Sequence, residues 1–342
     1  MVQKWQFYGI PERTPFFIAY MIVGNTISIC GTLGYLLFFF VIGTDKSNTF
    51  NNSFYKLACS LGVPDTMTLV LHYGYLTLTA LVGESNLNFW HVYWVGFLHD
   101  VCFWSVVGHM IIVCLNRLSA VIWMVDYHKF YEDKKLYGWI LLCYILGFGV
   151  PITMWTCTCY YHVPSGWGWE FSCGDPNASC ATFAMKLNEI FCFATVVILT
   201  GVHVIIFVKV CTISRKHRSV SDASQRAEEM RQRERAKKEK AMALQFFMIS
   251  VILGIHVVFF WVVTPLVQAG AIPPNVGMVI LHICLIMNSA INPFMYLILA
   301  SDGRRAVVAL FRRFFVAERT TVLDSKHTGG AGNFTLRTRI QK

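Results

Sequence analysis

The sequence predicts an all-α membrane protein, a seven-transmembrane helix bundle with a short amphipathic eighth helix and an extracellular N-terminus. Three observations carry this reading. Of the 342 residues, 55% are hydrophobic and 14% are charged, whereas a soluble domain carries about 25% charged residues. That is too little charge to cover a water-facing surface of this size. The apolar residues fall in runs of the length a spanning helix needs, not in the short alternating segments of a transmembrane barrel. The cations, finally, gather between those runs on alternate connections, as cytoplasmic loops require.

The runs are Phe16–Ile42, Leu57–Val82, Val92–Met124, Leu136–Tyr160, Phe183–Cys211, Ala241–Ala269 and Val276–Ala300. Each reaches the roughly 20 residues that cross a hydrocarbon core, and several exceed it, which predicts tilt or protruding ends. Lys and Arg are absent from Thr66–Asn116, Leu136–Met185 and Ala241–Gly303. Seven spans put every basic cluster on one side and leave only Lys4, Arg13 and Lys186 of 29 basic residues on the other. The first side is then cytoplasmic. The net charge of +10 reads as a topology signal and an attraction to anionic lipid, not as a nucleic-acid footprint. No cleavable leader is expected, because the first apolar run is too long for a signal-peptide core.

Around the spans the sequence divides into a short extracellular N-terminus (residues 1–15), the seven-helix bundle (16–300), an amphipathic interfacial helix (301–315) and a polar, disordered cytoplasmic tail (316–342). Within the bundle, a long basic loop covers about 212–240, with interleaved Glu and Arg or Lys supporting exposed helix. It reads as a solvated charged helix and as a docking surface for a cytoplasmic partner, and the two are compatible. In Asp302–Phe315, apolar Val307, Val308, Leu310, Phe311, Phe314 and Phe315 are flanked by four arginines, the pattern of a helix lying in the interface. Asn177 is the one sequon expected outside the cell and so open to glycosylation. Of 12 cysteines, most lie in spans. Cys173 and Cys180, in the second extracellular loop, are candidates to pair with each other, and Cys157 and Cys159 are rival partners that sequence leaves open.

Polar groups inside a membrane are costly and mark function. The seventh span holds Asn292-Pro293-Phe294-Met295-Tyr296. Pro293 removes a backbone hydrogen bond, Asn292 can satisfy freed backbone groups, and Tyr296 can swing on the loosened turn. The third span ends in Asn116-Arg117, where an Arg can snorkel harmlessly or serve a partner. Asp65 in the second span needs a polar partner, and Asn292 is a natural one. Asp100 lies about 12 Å into the third span by helical rise, beside His99. With Trp261 and His282 these form the candidate ligand pocket, and a buried pairing of Asp100 with His72 or His282 is the structural alternative.

NPxxY in the last span, followed by an amphipathic helix, resembles the rhodopsin-like receptor superfamily. The resemblance implies that Arg117 meets a heterotrimeric G protein, that Asp65 joins a network with Asn292, and that Trp261 senses ligand. The chain also departs from the pattern. Asn116 replaces the acid that latches the Arg, which implies a looser off-state. Val92 stands where the third-span cysteine belongs. His99 holds the place of the amine-binding Asp, Asp65 sits one turn beyond its usual position, and three residues separate Trp261 from Pro265. With the FYKL segment, these departures resemble the nematode serpentine chemoreceptors. That implies a plasma-membrane, multi-pass receptor, with a sensory-neuron cilium as one destination, for an extracellular small molecule or short peptide. No cofactor, metal or enzymatic motif is expected. The rival reading is an ion or proton transporter or channel lined by Asp65, Asp100, His109, His203, His256 and His282, although no internal symmetry supports it.

Overall fold

A computed structural model describes residues 14–45, 50–83, 86–122, 130–162, 170–173, 178–216, 247–248, 251–252, 254–259, 262–263, 266–267, 269–299 and 303–312. Residues 1–13 of the expected N-terminal segment, most of the loop at 212–240 and the tail from 316 lie outside them.

Helix α1 covers Pro15–Gly43; the Thr14 side chain accepts from Phe17 N at 3.2 Å, and Pro15 opens the first turn where its missing N–H costs nothing. Helix α2, Ser53–Leu71, is capped by Asn52, which accepts from Tyr55 N at 3.1 Å. It passes through a wide π turn, His72–Leu76, into α3, Thr77–Val82. Gly83, at φ 79°, ends it in a conformation only glycine adopts easily. Helices α4 (Phe89–Ile122), α5 (Asp133–Thr156) and α6 (Ser179–Lys216) come next. Helical turns recur at 254–259 and flanking positions of the sixth run. Helix α7, Pro274–Phe294, ends in a second π turn, Met295–Leu299, and α8 occupies 303–312.

Among the described residues five helices are long and apolar enough to cross a membrane. The second expected span is divided by its π turn, and the sixth is described only in fragments. In α4 78% of the most apolar window is buried, against 22–44% in the other four, so α4 is the central helix. It packs on α2, α5 and α6, while α1 packs on α7. Small residues permit the closest approaches, as is usual between membrane helices. A Cβ on Gly31 would lie 2.7 Å from that of Ala290, and one on Gly147 would collide with Ser105. Outward faces carry Ile22, Leu33, Leu141, Ile145, Ile190 and Phe193, all more than half exposed, which suits lipid contact.

Two expectations are corrected between α5 and α6. The helix bundle stands, and its α5–α6 connection adds a two-stranded antiparallel hairpin, β1 Cys159–His162 with β2 Glu170–Cys173. The fourth run therefore stops at Thr156 instead of Tyr160: Thr158 takes a positive φ of 57° and turns the chain into β1. The Cys173–Cys180 pairing is also replaced. Cys159 bonds Cys173, its direct partner in the hairpin register, and Cys157 bonds Cys180. Strand register decides this, because it brings the Cys159 and Cys173 Cα atoms to 4.0 Å.

Candidate functional site

Two polar sites occupy opposite halves of the bundle. The first is a cavity of about 90 Å³ in the half that carries the hairpin. His99 and Asp100 of α4, Asn188 of α6, His256 of the sixth segment and His282 of α7 form its polar edge. Phe103, Leu281 and Leu285 supply apolar wall. His99, Asp100 and His282 are each 4% exposed, so the polar edge is out of bulk water. His282 Nδ1 donates to the Met278 carbonyl one turn back, at 2.7 Å. In the neutral ring that leaves Nε2 as an acceptor. Its ring stacks on His72 with centroids 6.1 Å apart.

Three of the four expected pocket residues, His99, Asp100 and His282, thus line one cavity. Trp261 lies outside the described residues, as does the sequon Asn177. Sequence reading missed Asn188 and Cys192 as lining residues, since nothing distinguishes them from other span-embedded polar or thiol groups. It assigned His256 only to the rival transport path.

The second site lies in the half bearing Arg117. Asp65, Asn292 and Tyr35 are fully buried. Asn292 Nδ2 donates to Asp65 Oδ2 at 2.8 Å, and the Tyr35 hydroxyl donates to the same oxygen. One carboxyl oxygen therefore ties α1, α2 and α7 together. The expected Asp65–Asn292 partnership is present despite the one-turn displacement of Asp65, whereas Tyr35 was not anticipated.

Below this network, Arg117 is 6% exposed and its Cζ sits 3.8 Å from the centroid of the Phe54 ring. That is a cation–π arrangement. Phe54 meets Tyr296 edge-on at 6.0 Å, and Tyr296 stacks on Phe38 at 5.1 Å. Asn116, also fully buried, donates from Nδ2 to Ser53 Oγ at 3.4 Å. The helix start that supplies Ser53 and Phe54 thus holds both residues of the Asn-Arg pair. Pro293 precedes the π turn that carries Tyr296, and such wide turns mark functional places in helices. Beyond it, a Cβ on Gly303 would strike the Tyr296 carbonyl oxygen, so glycine lets α8 fold back against the bundle. Ala306, Val307 and Leu310 of α8 pack on the core, while Val308 and Phe311 stay about half exposed.

The histidines of the rival reading divide. His109 Nδ1 donates to Ser105 O at 2.7 Å and its Nε2 faces Ser60 Oγ at 2.8 Å; His203 Nδ1 donates to Leu199 O at 2.6 Å. Neither lines the cavity. Among the described residues no group of three or more His, Cys, Asp or Glu side chains is arranged to hold a metal ion.

A family model described as serpentine type 7TM GPCR chemoreceptor Srx matches residues 26–297. No curated protein matches the chain.

Proposed function

Since the chain belongs to the Srx family of serpentine-type 7TM G-protein-coupled chemoreceptors, we propose that it binds a small molecule in the hairpin-end cavity and transmits that event to a heterotrimeric G protein at the Arg117 end. It is a multi-pass membrane protein; in the proposal it lies in the plasma membrane with the N-terminus and hairpin outside. The basic connections between spans support that orientation, because they share the end where Arg117 lies.

The observation that carries the reading is that the same two helices serve both sites. Helix α4 holds Asp100 and Arg117, 17 residues and so about 25 Å apart along its axis. Helix α7 carries His282 at the cavity and Asn292, Pro293 and Tyr296 at the other network. A ligand shifts such a bundle only by binding one arrangement more tightly than the other. A polar cavity wall formed by four segments gives it the means, since their relative movement alters the wall directly. The Asp65–Tyr35–Asn292 knot and the Arg117–Phe54 contact are then what rearranges. Residues 303–312 and their exposed apolar side chains suit a helix resting in the lipid interface.

The transport reading loses support at His109 and His203, whose rings are committed to their own helices' carbonyls away from the cavity. Expression with a promiscuous G protein, screened against volatile and water-soluble small molecules, tests the receptor reading. Ligand-dependent nucleotide exchange is expected; ligand-dependent ion flux without exchange contradicts it.

A further inference from the structure

The cavity adjoins a second space along the seam between α6 and the sixth segment. Asn188 and Cys192 line the cavity; from one turn further on, Val196, Thr200 and His203 line a groove of about 470 Å³. Residues 188, 192, 196 and 200 form one i, i+4 row, and each step of four residues turns about 40° around a helix. The row therefore winds from the bundle interior toward lipid, and Thr200 at its far end is exposed. The sixth segment divides in the same way. His256 and Val257, 9% and 7% exposed, face the cavity, while Gly254, Ile255, Val258 and Phe259 supply the opposite wall of the groove. Ile255, Val258 and Phe259 are 39–53% exposed, so the groove is the membrane side of the seam whose inner side is the cavity.

The two spaces differ in chemistry and in size. The cavity has a polar edge, on which the Asn188 amide both donates and accepts. The groove is apolar apart from Thr200 and His203. Aliphatic cavities of about 150 Å³ admit benzene, so on the same scale the cavity admits about four non-hydrogen atoms and the groove roughly eighteen. A small polar head and a long apolar tail therefore fit side by side. A lipid-facing groove alone would hold any bilayer chain; continuity with a polar cavity through the α6 row is what selects an occupant. Neither Lys nor Arg is among the described lining residues of either space. A formal charge carried through the hydrocarbon costs more than the hydrogen bonds of the polar edge return.

Resting on the receptor reading above, we propose that the ligand is an uncharged single-chain amphiphile that enters from the bilayer between α6 and the sixth segment, its polar head in the cavity and its hydrocarbon tail in the groove.

The test uses the purified full chain in phosphatidylcholine nanodiscs and follows, by peptide mass mapping, modification of Cys192, a free thiol on the cavity wall. Hexyl methanethiosulfonate, which partitions into bilayers, should modify Cys192 about ten-fold or more faster than the cationic trimethylammonium-ethyl reagent, which does not. A Cβ built on Gly254 meets no described neighbour within 4 Å, so Gly254→Phe extends into the groove. It should slow the hexyl reagent at Cys192 by a similar factor and leave exposed Cys30 of α1 unchanged. 1-Decanol should protect Cys192, whereas decyl sulfate and decyltrimethylammonium, with the same tail and a charged head, should not. Should Gly254→Phe fail to fold, Thr200→Phe, which fills the groove from α6, must have the same effect. The proposal is overturned if the hexyl reagent leaves Cys192 unmodified, if the cationic reagent keeps pace with it, or if groove filling changes nothing. It is equally overturned if a charged decyl head protects as well as decanol, or if decanol does not protect. Nucleotide exchange in the same nanodiscs with added G protein separates the two readings. Protection by decanol without exchange defeats the receptor reading and leaves the ligand class standing; exchange driven by decyl sulfate alone does the reverse.

Discussion

Arg117 shows how a missing residue is compensated. With Asn116 in place of an acid, no carboxylate precedes the guanidinium, and a looser off-state was the sequence expectation. In the structure the guanidinium instead lies against the Phe54 ring, buried from the aqueous end where a partner would reach it. A desolvated contact of this kind contributes about 0.5–2 kcal/mol, enough to hold a switch whose states differ by a few kcal/mol. Phe54→Leu should therefore raise ligand-independent nucleotide exchange by about two- to thirty-fold, while Phe54→Tyr, which keeps an aromatic face, should stay near the parent level. Lower basal exchange in Phe54→Leu at equal surface expression would contradict an aromatic latch. Phe54 was legible only as part of the FYKL segment. Nothing in a sequence tells an aromatic that packs from one that holds a cation. Tyr35 was hidden for the same reason: one tyrosine in an apolar run looks like any other until α2 and α7 bring Asp65 and Asn292 to its hydroxyl.

At the scale of elements, run length and charge gaps sufficed for most helices. The first run, Phe16–Ile42, differs from α1 by one residue at each end, because capping and proline signals coincide with its limits. The second run ends with α3 at Val82 but begins four residues after α2 does, and its π turn at His72–Leu76 was not legible; a wide turn leaves the hydrophobic pattern intact while rotating the helix beyond it. The hairpin and its disulfides were illegible too. Four cysteines allow three pairings, and only the strand register chooses among them. That choice matters for the cavity, because Cys157–Cys180 joins the end of α5 to the start of α6, the helix that supplies Asn188 and Cys192. Replacing both Cys157 and Cys180 by Ser should destabilise the chain by about 2–4 kcal/mol. It should also weaken binding in the cavity more than it alters basal exchange. Peptide mapping of the parent should recover Cys157–Cys180 and Cys159–Cys173; a Cys173–Cys180 peptide would contradict the hairpin register.

For the molecule as a whole, the segregation of charge and the central place of α4 are what suit the proposed two-ended receptor. Composition, run lengths and charge gaps together were enough to infer a membrane bundle, and the Asn292–Tyr296 motif with Arg117 suggested what it does. The cavity was partly legible, since intramembrane Asp100, His99 and His282 stood out as costly groups, but their convergence with Asn188 and Cys192 depends on how α4, α6 and α7 cross. Cysteine-accessibility labelling should find positions near Asn177 open from outside the cell and positions near Ser221 open only after permeabilisation. The reverse pattern would invert the proposed topology.

In the proposed receptor an event in the hairpin-end cavity reaches a G protein through Arg117. Nucleotide exchange by cells expressing Arg117→Ala, read against surface labelling of the same cells, tests it most directly. Exchange, basal and ligand-driven alike, should fall to background while the receptor still reaches the surface. Exchange at the parent level with Arg117 removed would contradict it.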